Sequence, residues 1–541
     1  MAPRIVHNGN HDPIVSVSIV TRADRYRWIE TSVATLLLGS FILYFGLHCF
    51  RYRWVGDIQL HCAAVASLYT DFWRPPHEAV ALAGSTSQVH SPYIVGIAAI
   101  GRVLHVTPYR ALQFAGLVNL CLYVFAICLF FRTFSVQPSN WLPAIAFLAV
   151  SLFMRDRVYL WSSETSFASM RLIQAYPSLW AWSVALVLFA FTERYLRGGS
   201  AALLIAISAL IWALLLSHNL TFAWVWIIIS ARAVIALAYG RGPQRRSPAL
   251  LLGAVAIGVV ATRLWPYFDI TQSLALRRFP EGSEFADHPL RDMAPLYVLA
   301  GVAAVWFIGH QQHFFLLAGF VTTAIALQVF RAMDYSYGNR FAFFQAFFAQ
   351  ALVADGIALG VRALFDHRRA VSGAVPSGRT ARLLPVVFAV VSIVMIGVAP
   401  AVRTESEAGR PLLSLRELMA AGSSHYGYYA SLDGLTPWLR ATDIVLMPQK
   451  PVAWDVASIT GARVVISPYA YRVPDYAQRV ADNERFLAAG TEPGVRRTIL
   501  QRYGVSKIVL TEPYLGIAPE LHGLGMEVFR SPAFVVIEVA R

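Results

Sequence analysis

The chain has 541 residues, of which 57% are hydrophobic and 14% charged, with a formal net charge of +14 and a mean hydropathy of +0.53. This excludes an ordinary soluble domain, because apolar runs of about 16–23 residues recur up to residue 400, near the length that crosses a bilayer. It also argues against nucleic-acid binding: Lys contributes only Lys450 and Lys507, and the Arg residues are scattered through loops rather than arrayed on one helix face.

A polar leader, 1–27, carries Arg4, Arg22, Arg25 and Arg27 and belongs in the cytoplasm by the positive-inside rule. The apolar run that follows, Trp28 to Phe50, is too long for a cleaved signal and lacks a small-x-small exit, so it reads as an anchor. Further candidate spans are 89–105, 110–131, 139–154, 178–193, 200–217, 219–238, 248–266, 294–310, 313–330, 341–360 and 383–400. Basic loops at Arg194/Arg197, Arg241/Arg245/Arg246 and 362–382 belong inside. The loops 51–88, 155–177, 265–293 and 331–340, and everything after 400, then fall outside. An even number of crossings from an inside start would end inside, so one short segment before residue 155 is expected to be re-entrant or interfacial. Cys49, Cys62, Cys121 and Cys128 form no C-x-x-C pair and imply neither a metal site nor a disulfide framework.

Residues 401–541 contain no run long enough to span and read as a small α/β domain. Strands are predicted at Asp443–Met447, Arg463–Ile466, Ser506–Thr511, Met526–Phe529 and Phe534–Val539, and helices over Asp475–Ala489 and Pro493–Tyr503. It lacks G-x-G-x-x-G and P-loop motifs. The fold class is therefore mainly α, a polytopic membrane bundle (28–400) of about 11–12 apolar segments followed by an extracytoplasmic α/β domain.

The chemistry begins in the first outer loop. Gly56-Asp57 follows the first span, Ile58–Tyr69 is amphipathic enough to lie flat on the membrane as a juxtamembrane helix, and His90-Ser91-Pro92-Tyr93 opens the next apolar segment. An ionisable group held at the membrane face marks a functional site by default. Asp57 can serve as a general base or cap the helix that starts at Ile58.

This layout resembles the GT-C superfamily of polyprenyl-phosphate-sugar-dependent glycosyltransferases, which includes protein O-mannosyltransferases and lipid A aminoarabinose transferases. In that family an Asp follows the first span and a His-Pro-Pro-like element often precedes the second; here Ser91-Pro92 follows His90, and Asp57-Ile58 stands where some members carry an acidic pair. The resemblance implies a second acidic residue in the loop 155–177, for which Glu164 and Asp156 are the candidates, with Arg171 nearby. It also implies an outer-face Arg that holds the carrier phosphate, a position matched by Arg340 next to Tyr337. Aromatic faces in these loops suit sugar C–H groups, and a guanidinium binds two phosphate oxygens at once. His218, in a tight turn between spans, can reach sugar or simply satisfy the turn.

His61, His77, His90, Asp57 and Asp71 form no recognised metal-ligand spacing, and no cofactor is inferred. The expected activity is inverting transfer of a sugar from a polyprenyl-phosphate donor to a hydroxyl on a glycan, lipid or protein, at the outer face of the cytoplasmic (inner) membrane. Asp57 and Glu164 would be catalytic, and Arg340, His90, Asp156, Arg171, Tyr337 and His218 would bind substrate. A transporter or flippase would instead carry paired charges at mid-membrane. A non-catalytic envelope assembly protein would depend on the outer domain and tolerate loss of Asp57.

Overall fold

A computed structural model describes residues 22–51, 57–82, 87–135, 141–154, 165–239, 246–271, 293–308, 314–333, 338–370, 379–402, 432, 434–448, 450–467, 473 and 475–540. Among them, seven helices are long and apolar enough to cross a membrane, and shorter apolar helices occur at Pro92–Val103, Trp141–Phe153, Ala201–Ser217, Ala294–Phe307 and Pro385–Ile396. Together they occupy every segment predicted from the apolar runs.

The first helices are α1 (Arg22–Arg51), α2 (Asp57–Thr70), α3 (Pro92–Val103), α4 (Pro108–Phe134) and α5 (Trp141–Phe153). Local sequence sets several starts: Ser91 and Thr107 accept from the amides of Ile94 and Arg110, and Pro92 and Pro108 occupy first-turn positions whose amide is not needed. α3 has 12 residues, about 18 Å at about 1.5 Å each, short of the roughly 30 Å hydrocarbon core. Both its ends are tied to α2, through the Ser67 Oγ–His90 Nε2 bond at 2.8 Å and an Arg102 Nη1 donation to Leu68 O at 3.3 Å. It packs against the end of α2.

Next come α6 (Phe167–Ile173), α7 (Pro177–Gly198), α8 (Ala201–Ser217), α9 (Asn219–Tyr239), α10 (Arg246–Ala261), α11 (Ala294–Phe307), α12 (Phe314–Ala332), α13 (Phe341–Ala370) and α14 (Arg379–Val402). The span Gly338–Leu364, mostly α13, is 94% buried, against 33% for Asn219–Tyr239, so α13 is the axis of the bundle and α9 part of its lipid-facing wall. Phe344 of α13 stacks on Trp224 with ring centroids 4.6 Å apart, and Trp224 meets Trp182 edge-on at 5.0 Å. Aromatic contacts of this kind fix helix spacing where lipid and core are equally apolar.

The C-terminal region holds β1 (Ile444–Leu446), α15 (Lys450–Thr460), β2 (Arg463–Val464), α16 (Tyr476–Leu487), α17 (Pro493–Tyr503), β3 (Lys507–Thr511), β4 (Gly525–Arg530) and β5 (Phe534–Val539). Its sheet runs β2-β1-β3-β5-β4, parallel through β2, β1 and β3 and antiparallel through β3, β5 and β4. Every predicted strand is present. α15 was not foreseen from the sequence, although Val452–Trp454 and Val456–Ser458 are all buried.

α15 packs on α2. The Ser458 hydroxyl donates to Gln59 Oε1 at 2.6 Å, and Cys62 Sγ lies 3.5 Å from Ser458 O. The loop after α2 extends the sheet: Val80 pairs in parallel with Val464, Val464 N donates to Ala79 O at 2.7 Å, and Ala81 N donates to Val464 O at 3.0 Å. Strand addition at the β2 edge satisfies backbone groups that would otherwise stand open.

Candidate functional site

The site lies at the end of the bundle that carries the C-terminal sheet. Asp57 is the first residue of α2; its side chain lies outside the described residues, as do Asp156, Glu164 and Tyr337. The α2 start is pinned to the end of the loop 155–177, because Ile58 N donates to Tyr176 Oη at 3.0 Å. That loop end is anchored in turn: Gln174 Nε2 donates to Phe45 O at 2.8 Å, and Tyr93 Oη donates to Ala175 O at 2.9 Å.

One turn along α2, the His61 ring meets Tyr176 edge-on at 5.6 Å. Burial lowers the His61 pKa to about 4, partly opposed by the Glu78 carboxylate. His218, in the turn between α8 and α9, receives the Thr221 amide on Nδ1 at 3.3 Å and lies 2.8 Å from the Thr221 hydroxyl through the same nitrogen. An Nδ1 that accepts from an amide leaves the neutral ring's proton on Nε2. Burial, then the Arg340 charge, then His61 lower the His218 pKa to about 3, so His218 is a neutral donor beside a guanidinium.

Arg340 closes the short turn Gly338–Arg340 at the head of α13 and is half-buried. Gly338 permits this turn: a Cβ there would stand 2.9 Å from Phe330 Cβ and 3.1 Å from its carbonyl carbon. The preceding Asn339 accepts from Arg331 Nε at 2.7 Å. Arg340 and His61 both act electrostatically on His218, and His61 meets Tyr176, whose hydroxyl takes the Ile58 amide, so these four half-buried residues form a loose frame near the start of α2. Such a frame offers one guanidinium for a phosphate, two neutral imidazoles for hydroxyls and an aromatic ring.

His90 and Arg171 each make structural contacts. His90 is 1% exposed, held by Ser67, and its carbonyl accepts from Trp265 Nε1 at 3.0 Å. Burial lowers its pKa to about 4. It fastens the loop after α10 to the first outer loop, as does the Tyr267 hydroxyl on Phe72 O at 2.9 Å. Arg171 Nε donates to His48 Nε2 at 3.1 Å, bracing α6 against α1. Asp71 accepts from Trp73 N and Arg74 N at 3.0 and 2.9 Å, a turn-forming role.

Sequence reasoning named neither Tyr176 nor His61 as a candidate site residue, although it noted Tyr176 among the aromatics of the loop 155–177. Their signal was the crowding of ring and imidazole near membrane-face loop ends, which spacing alone does not bring together.

The fold is similar to those of solved structures of low sequence identity. Archaeal oligosaccharyltransferase AglB from Archaeoglobus fulgidus, solved in complex with an inhibitory peptide and a dolichol-phosphate, is similar over 90% of this chain and 70% of its own, with a TM-score of 0.57 and 12% identity. ArnT from Cupriavidus metallidurans in the apo state is similar over 96% of this chain and 98% of its own, with a TM-score of 0.51 and 14% identity. No protein-family model matches the sequence, and no curated protein does.

Proposed function

We propose that the protein is an inverting glycosyltransferase that moves a sugar from a polyprenyl-phosphate carrier to an acceptor hydroxyl at the outer face of the cytoplasmic membrane. The observation that carries this reading is the gathering of Arg340, His218, His61 and Tyr176 around the start of α2, where Asp57 stands. The AglB structure's bound dolichol-phosphate supports a lipid-phosphate carrier.

In this reading Arg340 holds the donor phosphate and stabilises the charge that grows on it as the bond to sugar C1 breaks. The acceptor oxygen attacks C1 from the opposite side and forms the new glycosidic bond. The bonding pair of the old C1–O bond leaves with the polyprenyl phosphate, and the acceptor proton passes to the Asp57 carboxylate. His218 and His61, neutral at pH 7, orient sugar hydroxyls without adding charge. Glu164 is the second acidic candidate, with Asp156 and Tyr337 as further sugar contacts. The sheet domain would hold α2 in place and sit on the outer side with 401–541.

Transport would need paired charges near the midplane. Glu193, Arg232 and Asp355 do lie within spanning helices. From the starts of α7, α9 and α13 at the domain end, however, they are about 20–24 Å down the helix at about 1.5 Å per residue, toward the opposite face.

The test is release of polyprenyl phosphate from a panel of polyprenyl-phospho-sugars by purified protein with an envelope acceptor fraction. Acceptor-dependent release that Asp57→Asn and Arg340→Gln abolish, with folding intact, is the expected result. No release with any donor would overturn the transferase reading.

A further inference from the structure

Glu193 of α7 and Arg232 of α9 pair near the ends of their helices away from the C-terminal sheet. Arg232 donates from Nε to Glu193 Oε2 at 3.1 Å and from Nη2 to Oε1 at 3.4 Å, and Arg197 Nε donates to the same Oε1 at 3.1 Å. One carboxylate thus faces two guanidinium groups, so the cluster keeps a net positive charge. Among the described residues Glu193 is the hydrogen-bond partner of Arg232, and it engages Nε and Nη2 while leaving Nη1 over.

Beside Arg232 a shallow, open groove runs between α9 and α12, lined by Ile228, Ile235, Phe315, Ala318 and Thr322. Arg232 stands seven residues before the end of α9 at Tyr239, about 10 Å along the axis, and Phe314 at the start of α12 lines the same groove. The groove is therefore at the end of the bundle away from the C-terminal sheet. The chain between α9 and α10 adds Arg241 and Arg245 in sequence. An ion pair serving packing alone would balance its charges; here an apolar slot ends at an excess of positive charge.

We infer that this groove binds an anionic phospholipid of the leaflet opposite the C-terminal domain, one acyl chain in the slot and the phosphate on Arg232 Nη1. The apolar lining takes hydrocarbon, the guanidinium takes phosphate oxygens, and the surplus charge disfavours a headgroup that carries its own ammonium. The inference is independent of the catalytic reading.

The test incorporates the full chain into nanodiscs of equal phosphatidylglycerol and phosphatidylcholine, extracts it in mild detergent, and counts retained lipids by native mass spectrometry. Wild type is expected to keep phosphatidylglycerol over phosphatidylcholine by about fivefold or more, the scale of one basic residue near a charged headgroup. Arg232→Gln should erase that preference and Arg232→Lys should keep part of it. Ala318→Phe, which leaves the ion pair intact, should fill the slot and lower retention of phosphatidylglycerol about fivefold. Equal retention of the two lipids by wild type, or phosphatidylglycerol retention unchanged by Ala318→Phe, overturns the site. Should Arg232→Gln lose its helical circular dichroism, Ala318→Phe alone decides.

Discussion

The Ser458 hydroxyl donates to Gln59 Oε1 at 2.6 Å although 399 positions separate them in the chain. Each residue is 2% exposed, so this is a buried bond between the C-terminal domain and the helix that Asp57 begins. Removing the hydroxyl leaves the Gln59 oxygen buried without that donor, at a cost of about 1–3 kcal/mol. Ser458→Ala should therefore lower the thermal midpoint. In the proposed transferase it should also reduce kcat more than donor KM, because it loosens α2 rather than the phosphate contact. A Ser458→Ala protein with the wild-type midpoint would show that the two parts are held together without this bond.

Arg340 provides the second prediction. Lys at this position keeps a charge but loses the two-pronged fork. A hydrogen bond to a charged group is worth about 1.5–3 kcal/mol, or roughly 10–150-fold. Polyprenyl-phosphate release by Arg340→Lys should fall by about that factor and by more in Arg340→Gln. Equal activity of Arg, Lys and Gln would place the phosphate elsewhere.

The turn that presents Arg340 makes Gly338 a sensitive position. An alanine Cβ would press on Phe330, whose carbonyl carbon is 3.1 Å away, and such overpacking typically costs about 1–3 kcal/mol. Gly338→Ala should raise the donor KM with little change in the far-UV spectrum. Titrating donor against both proteins measures this, and an unaltered KM means the turn yields without moving Arg340.

Stability should fall as the solution is acidified. His90 and His61 have folded-state pKa values near 4, below their ordinary 6.5, chiefly through burial. Both are neutral in either state above about pH 6.5, where their contribution is fully present. Between about 6.5 and 4 the unfolded chain takes up protons that the folded chain refuses, so stability drops by at most about 1.4 kcal/mol per pH unit for each. His90→Asn should flatten the fall in thermal midpoint between pH 7 and 5. A slope unchanged by His90→Asn would assign the acid sensitivity to other groups.

Tyr176→Phe removes the acceptor of the Ile58 amide at the first turn of α2, a loss of about 0.5–1.5 kcal/mol. Hydrogen exchange at the α2 amides should quicken while that of α13 stays the same. Protection unchanged in α2 would mean that α15 alone orders the helix.

The amino-acid sequence by itself determined the apolar helices and the strands of the C-terminal sheet. Membrane length and short runs of β-branched residues bounded by turn residues are local patterns that survive without knowledge of neighbours. It also marked Arg340 and His218 as polar residues at membrane-face turns. It did not reveal α15, nor the Glu193–Arg232 pair, although a charge inside each of two apolar runs was visible. The tertiary structure alone decided that both ends of α3 meet the end of α2, that residues 79–81 extend the sheet beside β2, that His90 binds Ser67 and Trp265 and Arg171 binds His48, and that Tyr176 meets His61. Those outcomes depend on contacts between residues tens to hundreds of positions apart. Their partners are chosen by which helix ends the packed bundle brings together, and no local pattern carries that information.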